Sequence, residues 1–148
     1  MPAQPPKAAL LATPDDVEAQ FYDALREGDI VKLMAVWADD EEIVCVHPGG
    51  PRLVGPAAVR AAFEAIFSGG TVQVQPERLR TVQSMTASVH SVVERVVLTT
   101  AETARTGWVM ATNVYFKTAQ GWRLVAHHAS AGTATEPPEV VEAPSTLH

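Results

Sequence analysis

The stretch GWVMATNVYFK, Gly107 to Lys117, is apolar on both of its faces. Successive side chains of a strand point to opposite sides of a sheet. Val109, Ala111, Asn113 and Tyr115 therefore share one face, and Trp108, Met110, Thr112, Val114 and Phe116 share the other. A sheet wetted on one side alternates apolar with polar residues, and this one does not. Helices can cover one face; the other needs a different cover, and a second copy of the sheet is the simplest. The pattern predicts a homodimer through the outer face of the sheet. The blander reading leaves Trp108 and Phe116 partly exposed near strand ends.

Three further runs rich in Val and Thr surround this one: Thr71–Val82, Ala87–Thr99 and Trp122–Ser130, with the run itself read as Thr106–Lys117. Turns such as Ser84–Met85–Thr86 and Thr118–Ala119–Gln120–Gly121 have hairpin spacing. Before them the period is helical. Thr13 caps a first helix, Pro14 suits its first position, and Asp15 and Asp16 favour the positive end of its dipole. Val17, Phe21, Ala24 and Leu25 recur at helical spacing, and Gly28 ends the run. Asp29 caps a second, short helix with Ile30, Leu33, Met34 and Trp37 in period. A short strand, Ile43–Val46, precedes a third helix over Ala58–Phe67. Helices first and an antiparallel meander afterwards define an α+β domain. The reading places it at residues 13–131, between a loose, Pro- and Ala-rich segment 1–12 and a loose tail 132–148.

Composition narrows the function classes. A length of 148 residues is one domain by the usual prior, and 47% hydrophobic with 19% charged residues is ordinary for a globular chain. The net charge of −6 and the scattered Lys and Arg argue against nucleic acid as a partner. Cys45 has no second cysteine to pair with and lies in an apolar run, so it reads as an inert core thiol. The first residues hold only the short apolar stretch AALLA, against the ~7–15 residues of a signal peptide core. No window approaches the roughly 18 apolar residues of a membrane span. The expectation is a cytoplasmic protein without a membrane partner.

FYDALREGDIVKLMAVWADDEEIVCVHPGGPRLVGPAAVRAAFEAIF resembles the N-terminal half of the nuclear-transport-factor-2-like (SnoaL-like) superfamily. The recurring pieces are an aromatic helix ending in Gly28–Asp29, the exit Trp37–Ala38–Asp39–Asp40, and Gly55 leading into a third helix. GWRLVAHHAS resembles the last strand of members near the calcium/calmodulin-dependent kinase association domain. The match runs from Pro14 to Ser130. It implies a conical fold, with three N-terminal helices packed on a strongly curved antiparallel sheet. It also implies a pocket at the open end and, in many members, dimerisation through the sheet's outer face. Function stays open, because the superfamily hosts isomerases, cyclases, dehydratases and pure association modules.

Carried over by position from ketosteroid isomerases, the base falls on His47, the helix tyrosine on Phe21, and the hydrogen-bonding acid on Asn113. Phe21 has no hydroxyl, and Tyr22 is turned from it by about 100°. Steroid isomerisation by that mechanism is therefore not expected. In the kinase association branch the pocket arginines fall on Asn113 and Ala129, so both resemblances imply Asn113 in the pocket. Arg95 is a substitute cation whose facing the sequence leaves open. If Ala129 faces inward, His127, Val125 and Arg123 do too, and His128 joins Trp122, Leu124, Ala126 and Ser130 outside. The blander reading has both histidines bonded to nearby groups.

The candidate site thus comprises His47 as general base, with Asn113 and His127 as orienting donors. Phe21, Trp37, Phe63, Phe67, Tyr115 and Arg95 are candidate ligand contacts. His47, His127 and Glu94 have no metal-ligand spacing, and no nucleophile motif is present, so neither metal nor cofactor is expected. The acidic run Asp39–Asp40–Glu41–Glu42 reads as a solvated helix exit. Two functions follow: a protein binding an unidentified small molecule in a mostly apolar pocket, of the cofactor-independent isomerase or dehydratase type, or a non-catalytic homodimeric association module.

Overall fold

The computed structural model describes residues 11–99 and 101–143. Its elements are α1 (Pro14–Glu27), α2 (Ile30–Met34), β1 (Val44–Val46), β2 (Arg52–Val54), α3 (Pro56–Ser68), β3 (Gln73–Gln83), β4 (Ala87–Thr99), β5 (Ala104–Thr118) and β6 (Gly121–Ala129). One curved six-stranded sheet runs in the order β2-β1-β6-β5-β4-β3. The pairing of β1 with β6 is parallel and all others are antiparallel. Three helices and this sheet make the α+β fold.

Local chemistry accounts for the helix ends. Thr13 and Asp16 close a reciprocal capping box, which satisfies two amides that the helix leaves free. Gly28 ends α1 at φ 67°, where a side chain would be strained. Asp29 accepts from the Lys32 amide and starts α2. That helix is shorter than expected. Trp37 lies outside it, bridged in parallel to Leu124, while the Ala38 amide donates to the Leu124 carbonyl at 2.9 Å. Strand β2 was not foreseen among the glycines and prolines that flank it.

Both apolar faces of the sheet are present. On β5, Val109, Ala111, Asn113 and Tyr115 are buried, while Met110 and Phe116 on the other face are each 48% exposed. On β4, Ser88, His90, Val92 and Glu94 join the buried face, in register with Tyr115, Asn113, Ala111 and Val109.

The expected facing of β6 needs correction at its first half. Ala129, opposite Ala111, and His127, opposite Asn113, face inward, and His128 is exposed. The register then slips: Val114 pairs with Ala126 but Tyr115 pairs with Leu124, which leaves Val125 as the extra residue of a bulge. One inserted residue reverses all parity before it. Trp122 and Leu124 are therefore buried rather than outward, and Arg123 takes the opposite side.

The two ends expected to be loose lie partly outside the described residues, at 1–10 and 144–148. Within them, Leu11 is buried, and its carbonyl accepts from the Trp122 amide at 3.1 Å. Gly121 makes this contact possible: it sits at φ 109°, and a Cβ there would lie 2.7 Å from the Leu11 carbonyl oxygen. Gly121→Ala is expected to cost about 1–3 kcal/mol in backbone strain alone. Urea denaturation checks this, and an unchanged midpoint would mean that residue 121 does not hold the positive φ.

Candidate ligand-binding site

A cavity of about 310 Å³ opens between the helices and the inner face of the sheet. Phe21 and Leu25 of α1 and Phe63 and Ile66 of α3 form its helical wall. Val74, Val96 and Val109 supply apolar sheet surface, and Pro48, Val72, Leu98, Gly107, Trp108 and Gly132 complete the lining. Among the described residues, His47, Glu94 and His127 bring titratable side chains to it. This is a small version of the common ligand pocket, apolar with few convergent polar groups.

Two of these groups, Glu94 and His127, are joined behind the wall. His127 Nδ1 lies 2.5 Å from Asn113 Oδ1, the Asn113 amide nitrogen donates to Tyr22 Oη at 3.0 Å, and Tyr22 donates to Glu94 Oε2 at 2.7 Å. The chain of bonds fixes roles. The Tyr22 hydroxyl donates to Glu94 and so accepts from Asn113, which leaves the Asn113 oxygen to accept from His127. His127 then holds its proton on Nδ1, and Nε2 keeps a lone pair.

Burial sets the protonation states. It pushes the Glu94 carboxyl up to about 7, with the charge of Glu18 adding to the rise and the Tyr22 hydrogen bond opposing it. Burial, then the neighbouring His47 and His128, depress His127 to about 3, so its ring is neutral at physiological pH. Burial also lowers His47, whose ring meets Phe63 edge-on at 4.8 Å. Cys45 Sγ is 3.8 Å from His47 Nε2, but burial pushes its thiol up to about 12. It is not a thiolate near neutrality.

The structure brings His47, His127, Phe21 and Phe63 to one cavity. Other candidates sit elsewhere. Asn113 is fully buried one layer behind His127 and is not part of the lining. Tyr115 donates to Glu18 at 2.9 Å, and the same carboxylate oxygen lies 2.7 Å from His90 Nδ1, so Tyr115 belongs to a second buried polar cluster. Phe67 packs beside Phe63 without reaching the cavity. Trp37 borders a separate groove with Met34, Pro56 and Arg60. Arg95 lies on the outer face, opposite Gln75 and Trp108, with its guanidinium on Glu77 at 2.9 Å. It cannot supply a cation to the cavity. Among the described residues no group of three or more His, Cys, Asp or Glu side chains converges as a metal site.

Glu94 and Tyr22 were the residues that sequence reasoning undervalued. Ser88, His90 and Glu94 recur at even spacing on one strand, which marks polar groups on an inner face. Tyr22 is indeed rotated from Phe21 along the helix. Yet α1 buries Glu18, Gln20, Phe21 and Tyr22 together, a face wide enough to hold both rings.

A helix-lined cone with a small apolar cavity defines the class of protein, and the comparisons agree. The sequence profile of the SnoaL-like domain matches residues 15–134, and the chain belongs to that family. It is similar to a protein from Thiobacillus denitrificans named as a calcium/calmodulin-dependent protein kinase type II association domain. The two share 35% identity over 82% of this chain and 96% of that one, with a TM-score of 0.73. It is also similar to a protein from Streptomyces avermitilis named as a dehydratase of the nuclear transport factor 2-like family (26% identity, 80% and 98% covered, TM-score 0.70). The calcium/calmodulin-dependent kinase II hub of S. rosetta shares the fold at 20% identity, with 90% and 100% covered and a TM-score of 0.64. No curated protein sequence matches.

Proposed function

We propose that the chain binds a small, uncharged, mostly apolar molecule in this cavity and moves a proton on it without a cofactor, as an isomerase or dehydratase does. One observation supports this most: Glu94 and His127, on the wall of one apolar cavity, are linked through Tyr22 and Asn113. A carboxyl that titrates near neutrality can both take and return a proton. In an isomerisation Glu94 would remove a proton from one carbon and deliver it to another, so the substrate's atoms balance. Nε2 of His127 would accept a hydrogen bond from a substrate hydroxyl and orient it. His47, the base first expected from sequence, is the second imidazole at this wall. The cavity lining includes no Lys or Arg, which disfavours a carboxylate or phosphate as ligand.

The test compares neutral and anionic probes. Thermal shift with 2-tetralone is expected to raise the melting temperature. The same measurement with 2-naphthoate is expected to give no shift. A larger shift with the naphthoate would sink the assignment. A panel of small enones and β-hydroxyketones in deuterated water, followed by NMR, then tests turnover.

A second reading has its own support. Val82, Val89, Met110 and Phe116 are exposed apolar residues of the strands, at 38–76%. They favour a homodimer through the sheet's outer face, with association as part or all of the function. Sedimentation velocity is expected to show dimers that Phe116→Glu disperses without altering the cavity.

A further inference from the structure

The outer face of the sheet is not bare. Beyond β6 the chain continues beside β5, where Trp108 and Thr133 exchange backbone hydrogen bonds of 2.9 and 2.8 Å. It then reaches β3. There Arg78 donates to the Pro137 carbonyl at 2.9 Å and meets Glu136 at 3.4 Å, and Arg80 meets Glu139 at 2.9 Å. Pro137, Pro138 and Val140 share a shallow pocket with Val93 and Met110. Val93 is an outer-face residue by its pairing with Met110, yet it is 7% exposed, while Val89 on the same face of β4 is 38% exposed. Val93 lies in the segment's pocket and Val89 does not, while Met110 also borders that pocket and keeps 48% of its surface exposed, so the segment covers this face in part.

The sequence suits this course. Two adjacent prolines hold an extended backbone that cannot fold back into helix. Glu136 and Glu139 flank them, matched to Arg78 and Arg80. Both ion pairs are solvent-exposed on at least one side, and exposed pairs bind weakly and are screened by salt. The segment is held lightly over apolar surface.

We propose that residues 133–140 form a strap that competes with a second copy of the chain for the outer face of the sheet. The proposal rests on the homodimer reading above. A twin sheet cannot pack on Val93 and Met110 while Pro137 and Pro138 lie there. Self-association therefore requires the strap to leave, and the two arginines set how readily it does.

Sedimentation velocity across a concentration series tests this on the full chain, a chain ending at Thr133, and the double variant E136Q/E139Q. The shortened chain is expected to dimerise with a Kd about tenfold or more below that of the full chain, and the double variant to move the same way by about threefold. Raising salt to about 0.5 M is expected to strengthen association of the full chain and leave the shortened one unchanged. Equal or weaker dimerisation of both variants overturns the competition while leaving the dimer itself standing. Monomers throughout, at every concentration, overturn the dimer reading and the strap with it. If the shortened chain does not fold, the double variant and the salt series decide the matter.

Discussion

Glu94→Gln is expected to remove one contribution to the pH dependence of stability, the loss that the Glu94 carboxyl imposes as pH rises from 4.5 to about 7. The reasoning is linkage. An unfolded glutamate ionises near 4.5, whereas folding holds this one protonated up to about 7. Between those values the native state binds more protons than the unfolded state, so stability falls as pH rises. The interval corresponds to roughly 3 kcal/mol. Glutamine keeps the shape and cannot ionise, so the variant should gain on the parent by that amount from below pH 4.5 to above 7. Urea denaturation at a series of pH values measures the difference. A difference that does not change with pH would place Glu94 in ordinary solvent and remove the carboxyl from the chemistry. With a substrate in hand, the same variant should lose about 10²–10⁴-fold in proton transfer.

His127 contributes the opposite slope. Its native value near 3 lies below the ordinary 6.5, so the unfolded chain binds the extra proton, and stability is lost as pH falls from 6.5 toward 3. In the unaltered protein the two slopes oppose each other between 4.5 and 6.5, the window in which both groups titrate differently in the two states.

Asn113→Ala is expected to destabilise the fold by about 2–5 kcal/mol, a large effect for one polar side chain. Asn113 accepts from His127 and donates to Tyr22, both buried. Truncation removes two hydrogen bonds and leaves two buried polar groups with one partner fewer, each costing about 1–3 kcal/mol. It also frees the His127 ring to change tautomer, so the lone pair on Nε2 is no longer held toward the cavity. Equilibrium urea unfolding gives the stability, and 15N NMR of the imidazole gives the tautomer. A cost under about 1 kcal/mol with an unchanged tautomer would mean that water substitutes for the amide and that the linkage is incidental.

Much of the architecture was legible along the chain. Thr13, Gly28 and Asp29 punctuate the helices through bonds made within a few residues, so their effect can be read locally. The two apolar faces of Trp108–Phe116 follow from alternation alone. The resemblance pointed to His47, Phe21 and Asn113 at one pocket, strand alternation added His127, and helix spacing added Phe63; His47, Phe21, Phe63 and His127 line the cavity, whereas Asn113 lies behind it. Arg95 and the first half of β6 were less readable. The facing of Arg95 depends on its register with Gln75 and Trp108, and that of Trp122 and Leu124 on a single extra residue, Val125. No local pattern marks either.

Short-range rules explain which segments are helix or strand and which side chains avoid water, because caps, turns and alternation act over a few residues. The partnership of Glu94 with Tyr22 spans 72 positions, that of Asn113 with Tyr22 spans 91, and the grip of Arg80 on Glu139 spans 59. The first two exist because packing excludes water and leaves buried polar groups to find one another across the fold, whereas the third is a solvent-exposed pair set by the course of the chain after β6. Their geometry is a product of the assembled cone, and the protonation of Glu94 and His127 follows from it.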